Sequence, residues 1–508
     1  MERYKNDQAG GYMQIPIAEK TVMSELSGDF TLPDYQPEIK RLLRVTASAL
    51  PPAKYVGGRE AELEGNVDYF VLYTGSDNEV YCAPLTTDYK LTVPIAADDR
   101  GAMGMQICAS VRPEAVSGRV TSPRKLSIKC RLRATAYVSG DISVENGIGI
   151  SGEELELLYG KADVTETFCG VGEMLRLSDE MIANGDSDEL RVISADGRVL
   201  INEASVTDGA VNCRGELYLK LLMSREEGGE PYAALRKLPF SQTIAVYGAR
   251  VGFSANVKGT VGEMNITVED GKVSIDAGVI LEAESCGEKG VDYIKDAYSV
   301  SRNGECEYMD AEYIKDGNAF FGNFTLSDSV SLDEVGISQN DGIIDACGEV
   351  IPEEFAFENG RCRITGKAKF SLLTKRDGEY GIADMELPFK YDVKTADNAT
   401  EAACEAEVVL CRVRTDGDRV GIDAEIGIIG KSFCREKVKM PCRVELFGQR
   451  ERAKGEIRIC YPSSSDSLWS IAKRYGVPAK SLCERNELSC DHSPDSSEAL
   501  GGATYIIV

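Results

Sequence analysis

His492 is the single histidine among 508 residues, which removes most hydrolytic chemistry at the outset. A Ser-His-Asp triad, a Cys–His nucleophile pair and a His-rich zinc site all need an imidazole in the body of the protein. Sixteen cysteines are present, but no two show CxxC spacing, so neither a zinc ribbon nor a thioredoxin-type dithiol is expected. Many stand inside strand-like runs, such as Cys130 in Leu-Ser-Ile-Lys-Cys-Arg-Leu. A free thiol there acts as a small hydrophobe, so reduced core cysteines are the leading expectation, with later oxidative cross-linking in a durable assembly as the alternative. Asp and Glu number 83. A glycosidase needs two carboxylates at a set separation, and no repeat carries a distinctive acidic pair in an apolar setting. Glu282 and Glu284 flank Ala283 in an alternating run, as solvent-facing strand residues do. The doublet Gly228-Gly229 lacks the Lys-Ser/Thr of a phosphate-binding loop. A non-enzyme without metal or cofactor is predicted.

The residues best suited to recognition lie in 455–508. Ile457-Arg-Ile-Cys reads as a short strand, Ser465-Asp-Ser-Leu-Trp-Ser-Ile-Ala-Lys-Arg-Tyr-Gly as a helix, Val477-Pro-Ala-Lys-Ser-Leu as a second helix, and Ala503-Thr-Tyr-Ile-Ile-Val as a closing strand. Leu468, Ile471, Ala472 and Tyr475 recur at i, i+3, i+4 and i+7, one buried stripe. Asp466 or Ser467 supplies the N-cap oxygen, Gly476 stops the helix in the left-handed conformation, and Pro478 starts the next. Trp469 is read as a core or half-buried helix residue in preference to a sugar platform. Asn486 is read as a turn cap in preference to a ligand contact.

The elements that must carry this module repeat. Glu62-Leu-Glu-Gly-Asn-Val-Asp-Tyr-Phe-Val-Leu-Tyr, Asn212-Cys-Arg-Gly-Glu-Leu-Tyr-Leu-Lys-Leu-Leu-Met and Arg363-Ile-Thr-Gly-Lys-Ala-Lys-Phe-Ser-Leu-Leu-Thr align on Gly65, Gly215 and Gly366, 150 and 151 residues apart. Val67, Tyr69, Val71, then Leu217, Leu219, Leu221, then Ala368, Phe370, Leu372 alternate as strands with one face on a core. Each run meets a polar turn. Leu238-Pro-Phe and Leu387-Pro-Phe follow in the later copies, with Ala83-Pro-Leu as a weaker first counterpart. Closing strands begin at Lys125, Lys272 and Arg419. The units run roughly 27–139, 175–285 and 321–433. Connectors 140–174 and 286–320 read as short helices or extra strands. The fold class is mostly β: three tandem β-sandwich or barrel units packed end to end, then a small α+β (βααβ) module. The domains are a segment 1–26, units 27–174, 175–320 and 321–454, and the module 455–508. Pro37-Glu-Ile-Lys-Arg-Leu-Leu-Arg is the best helical run outside the module.

The net charge of −26 argues against nucleic acid, and no apolar run is long enough for membrane insertion. No secretory signal is visible at Met1-Glu-Arg-Tyr-Lys, so a cytosolic protein is expected. Residues 455–508 contribute −2, leaving an acidic scaffold with a nearly neutral tip.

Asp29-Phe-Thr-Leu-Pro-Asp-Tyr-Gln-Pro-Glu-Ile-Lys-Arg-Leu-Leu-Arg-Val resembles the opening signature of the SPOCS domain of spore-coat proteins from endospore-forming Firmicutes, as does Ser122-Pro-Arg-Lys-Leu-Ser-Ile. The signature is degenerate in units two (Leu177-Ser-Asp-Glu) and three (Leu326-Ser-Asp-Ser). The C-terminal module resembles a LysM domain, departing from it at Ser465, where the family has glycine, and in an acidic insertion at 489–499. The resemblance implies a ligand groove of Asp466, Ser467, Leu468, Asn486, Glu487 and Leu488, taking N-acetylglucosamine glycans such as peptidoglycan. The two together are similar to clostridial spore-coat assembly proteins. That similarity implies a mother-cell cytoplasmic adaptor at the forespore surface, partnered by the coat's morphogenetic ATPase or other coat proteins. A peptidoglycan-binding envelope protein is the competing expectation.

Overall fold

The computed structural model of the chain describes residues 11–57, 59–95, 102–144, 155–182, 190–225, 229–269, 271–450, 457–488 and 493–508. His492, Gly228, Cys490 and the 454/455 boundary lie outside them.

Unit one comprises β1 (Tyr12–Thr31), β2 (Ile39–Ala49), β3 (Ala53–Gly57), β4 (Glu60–Gly75), β5 (Val80–Pro94), β6 (Met103–Ser122) and β7 (Lys125–Ser143). After β8 (Leu155–Val171), unit two comprises β9 (Leu175–Ile182), β10 (Leu190–Thr207), β11 (Ala210–Arg225), β12 (Tyr232–Ala245), β13 (Ser254–Glu269) and β14 (Lys272–Ser299). Unit three comprises β15 (Arg302–Ser331), β16 (Gly342–Glu358), β17 (Arg361–Arg376), β18 (Glu379–Lys394), β19 (Glu401–Asp416) and β20 (Arg419–Gln449). All three share one wiring. The first strand pairs with the last, the last with the one before it, and the strands between form a meander, as in β15-β20-β19 and β16-β17-β18. In unit one β3 continues β2 along β4. The alternating residues predicted inward are at most 2% exposed in all three units. Each contributes about 1.5–3 kcal/mol when it is a full-sized apolar side chain.

The aligned glycines have a common cause. Gly65 faces Tyr89, Gly215 faces Phe240 and Gly366 faces Phe389 across the ladder. A Cβ at Gly215 would lie 2.7 Å from Phe240 Cζ, and one at Gly366 2.8 Å from Phe389 Cε1. The neighbouring ring lies across the glycine, as aromatic residues do over bare positions in a sheet. This corrects the motif alignment: the first-unit counterpart of Leu-Pro-Phe is Thr87-Asp-Tyr89, not Ala83-Pro-Leu, because the ring, not the proline, is what repeats. The adjacent strand carries a bulge beside the glycine in units two and three, at Ile201/Glu203 and Pro352/Glu354.

The units close into a ring, which corrects the end-to-end expectation. β5 touches β10, β12 touches β16 and β18 touches β2, so each meander hands on to the next and the third returns to the first. Matching residues meet at the centre: Leu43, Ile193 and Ile344 with Leu72, Leu222 and Leu373. Arg41 donates to Tyr380 O, and its counterpart Arg191 to Val80 O. Sheet edges that would otherwise template aggregation face one another across an axial cavity of about 1120 Å³, lined by Arg44, Arg198, Lys220, Lys258, Asp345 and Glu405 among others.

Beyond the ring, the outer strands run on as ribbons. β8 pairs with the second half of β14, and the start of β15 with the end of β20. Met13 and Ile15 of β1 join Val164, Tyr293, Tyr313 and Met440 in one core. The described residues of the connectors belong to these ribbons and are extended, not helical. The 26/27 and 320/321 divisions fall inside β1 and β15. Residues 39–44, expected helical, lie in β2. Bulges at Ile39/Arg41 and Leu42/Arg44 break its period of two twice, giving the apolar residues a helix-like spacing. Reduced core cysteines were the leading expectation, and Cys108 and Cys169 depart from it by forming a disulfide between β6 and β8. The two sit 61 residues apart, with no local signature to mark them. No helix among the described residues is long and apolar enough to cross a membrane.

Candidate functional site

The C-terminal module consists of β21 (Ile459–Cys460), α1 (Leu468–Tyr475), α2 (Ala479–Arg485) and β22 (Ile506–Ile507). Ser467 is the N-cap of α1 and forms a reciprocal capping box with Ser470. Gly476 ends the helix at φ 65°. Leu468, Trp469, Ile471 and Ala472 are buried.

The six predicted site residues occupy distinct roles. Asp466 is 8% exposed and folds its own loop: Oδ2 accepts from Ser463 N and Oγ, each at 2.9 Å, and Oδ1 faces Arg474. Those Ser463 bonds, with Arg474, hold its carboxyl below the usual range. Leu468 is core. Asn486 clamps the closing strand, its Oδ1 accepting from Ile507 N at 2.7 Å and its Nδ2 donating to Ile507 O and Leu482 O at 2.8 Å. Glu487 sits at φ 53° and is exposed. Leu488 is half-buried, its N–H on Cys483 O. The acidic insertion reaches the first helix at Pro494, whose carbonyl O accepts from Trp469 N at 2.8 Å. Polar groups of Asp466, Ser467 and Asn486 are thus engaged inside the module, whereas Glu487 faces solvent.

A second constellation joins the module to the ribbons, and it was invisible in the sequence. Asp296 of β14 accepts from Trp469 Nε1 at 2.8 Å, from Lys473 Nζ at 2.7 and 2.8 Å, and from Tyr308 Oη at 2.5 Å. Burial pushes its carboxyl up, but the bonds from Lys473, Tyr308 and Trp469 outweigh that and hold it low. Tyr298 packs edge-on to Trp469 with ring centroids 4.8 Å apart, and its hydroxyl donates to Val477 O. Lys295 pairs with Asp495. Trp469 and Lys473 are one turn apart on α1, and the signal for a partner stops there. Asp296 is 173 residues away in sequence, in a connector marked only by its tyrosines.

The outer face of the small sheet is apolar and open: Ile459 is 52%, Tyr461 75% and Tyr505 51% exposed. Their neighbours Cys460 and Ile506 alternate inward.

Comparison with known families gives two matches. Residues 189–280 match the family described as "SipL, SPOCS domain", and residues 463–495 match the LysM domain. The first match covers β10 to the start of β14, so it falls on the second unit and not on the first, where the opening signature is plainest. No curated protein and no solved structure matches the chain. The chain carries a SPOCS domain and a C-terminal LysM domain, both binding domains of non-catalytic type. The pairing fits a protein associated with the spore coat and with peptidoglycan.

Proposed function

We propose that this SPOCS–LysM chain is a non-catalytic adaptor of spore-coat morphogenesis, holding coat proteins at the forespore surface from the mother-cell cytoplasm. The ring and ribbons provide a rigid spacer, and the LysM domain a fixed tip that docks the coat's morphogenetic ATPase or another coat protein. The observation that carries this reading is the joint at Asp296. It fixes the LysM domain to the scaffold through the helix bearing Trp469, while Asp466, Ser467 and Asn486 have their polar groups engaged internally. A module so held presents a surface of defined orientation, as a protein-docking element requires. Without chemistry, its effect is to raise the effective concentration of the partners it holds.

The test uses the full chain and a 1–454 truncation, each incubated with insoluble peptidoglycan and, separately, with purified coat morphogenetic ATPase. The adaptor reading expects ATPase retention that requires the LysM domain, and equal glycan sedimentation by both proteins. LysM-dependent sedimentation on glycan without ATPase retention would overturn it in favour of an envelope glycan binder. In that case Asp466, Ser467, Leu468, Asn486, Glu487 and Leu488 would be the first positions to mutate.

A further inference from the structure

Where the ring meets the ribbons, three metal-ligating groups from two units converge. Cys108 belongs to β6 of unit one, Cys169 to β8, and Glu284 to β14, directly opposite Cys169 in the ladder. The two Sγ atoms and a Glu284 carboxylate oxygen lie within 4.8 Å of one another; all three residues are half-buried, so Glu284 is not the solvent-facing strand residue its alternation suggested. Lys431 Nζ binds Glu284 Oε1 at 2.8 Å, while Oε2 takes a 3.5 Å contact from Asn256 Nδ2. Asn256 itself is anchored, donating to Gly430 O at 2.9 Å.

We propose that the Cys108–Cys169 pair is a dithiol/disulfide couple whose reduced form, with Glu284, binds a zinc-class divalent cation. Three considerations support the ligand class. Two thiolates and one carboxylate form a soft, anionic set that suits Zn²⁺ and leaves a fourth, water-occupied position. Its charge of −3 against +2 leaves −1, which the Lys431 ammonium balances. That same cation favours the thiolate form a metal requires. Tetrahedral coordination with Zn–S of about 2.3 Å needs sulfurs roughly 3.8 Å apart. Side-chain rotation over the 6.2 Å Cα–Cα span supplies that separation without moving either strand.

The chemistry balances. A dithiol reductant attacks the bridge through a mixed disulfide, leaving two protein thiols and its own cyclic disulfide. Binding of Zn²⁺ then releases both thiol protons to solvent. The consequence is that β6 of unit one and β8 remain cross-linked in both redox states, by a covalent bond when oxidised and by an ion when reduced.

The experiment titrates Co²⁺ and Zn²⁺ into the full chain after phosphine reduction and removal of the phosphine. Binding is read by the thiolate-to-cobalt charge-transfer absorption and by metal content per chain. The expected result is one ion bound with thiolate absorption, none at this site in unreduced protein, and loss of that equivalent in Cys108→Ser and in Cys169→Ser. Glu284→Gln keeps both thiols and is expected to weaken binding by at least about tenfold. The emission of Trp469, the chain's only tryptophan, checks that each variant keeps the parent structure. The other cysteines are the internal control. If reduced parent and both serine variants bind the same number of ions with the same absorption, or if Glu284→Gln matches the parent, the site does not exist.

Discussion

Asp296→Ala should release the LysM domain from the ribbons, and the structure allows the loss to be sized. The substitution strands Trp469 Nε1–H, in a residue only 5% exposed, at a cost of about 1–3 kcal/mol. It also removes the Lys473 ion pair, whose lysine is 34% and aspartate 17% exposed. Screening limits that pair to about 1 kcal/mol. The edge-on Tyr298–Trp469 contact and the burial of Leu158 remain. The joint therefore loses about 3 kcal/mol, or roughly a hundredfold in its docked-to-undocked ratio at about 1.4 kcal/mol per decade. Trp469 being the only tryptophan, its emission and its quenching by acrylamide report the joint without labelling. Red-shifted emission and greater quencher access are expected, with the β-sheet signal unchanged. The pH dependence has a definite sign. The Asp296 carboxyl is held low in the docked state, so its contribution is complete above the ordinary carboxylate pKa of about 3.9 and is lost only as pH falls below that. Emission of the parent should stay flat from neutrality to about pH 4. If Asp296→Ala leaves both emission and quenching at parental values, the joint rests on Tyr298 and Leu158 alone and this reasoning is wrong.

Three further outcomes are expected. Asn486→Ala removes the clamp on β22 and should cost the LysM domain about 2 kcal/mol, so that the Trp469 transition moves to lower denaturant while the sheet transition stays. Gly366→Ala places a Cβ 2.1 Å from Ile351 O as well as against Phe389, and should destabilise the body by about 1–3 kcal/mol in chemical denaturation. Lys258→Met leaves Glu405 without its 2.7 Å partner and should cost about 2 kcal/mol, part of it recovered in the double variant with Glu405→Leu. Burial pushes the Glu405 carboxyl up, but Lys258 and Ser110 outweigh it and bring it to about 2. Its contribution should therefore be complete above the ordinary carboxylate range, decline as pH falls below it and be gone below about 2.

The strands around Gly65, Gly215 and Gly366 were legible because their requirements are local: a period of two, a glycine, and a ring on the next strand. The capping residues of α1 were legible for the same reason. What stayed hidden is set by non-local partners. Residues 39–44 read as helix because two bulges mimic helical spacing, and only pairing with β4 decides the matter. Asp296 and the Cys108–Cys169 bridge depend on strands brought together by ring closure, a step that leaves no periodicity in the chain. Of the predicted groove residues, Asp466, Ser467 and Asn486 form caps and clamps with the same polar atoms that a ligand would need.

The same distinction explains which positions of the repeat agree and which diverge. Residues facing each unit's own core recur, since each core poses the same packing problem three times. Residues facing the axis meet their own counterparts, and there sameness is a liability. Ser110, Lys258 and Glu405 occupy matching positions, each opposite the eleventh residue of its unit's last strand. They bond to one another, with Lys258 Nζ 3.1 Å from Ser110 Oγ and 2.7 Å from Glu405, and Ser110 Oγ donating to Glu405 at 2.6 Å. Two strand positions further on, Tyr137, Glu284 and Lys431 again match, with Lys431 both paired to Glu284 and 4.4 Å from the Tyr137 ring centroid. Three identical units would bring three lysines or three glutamates to each point, a like-charge cluster in a half-buried setting. Joining the units in one chain lets each matching position carry a different residue, so repulsion becomes a hydroxyl–ammonium–carboxylate network.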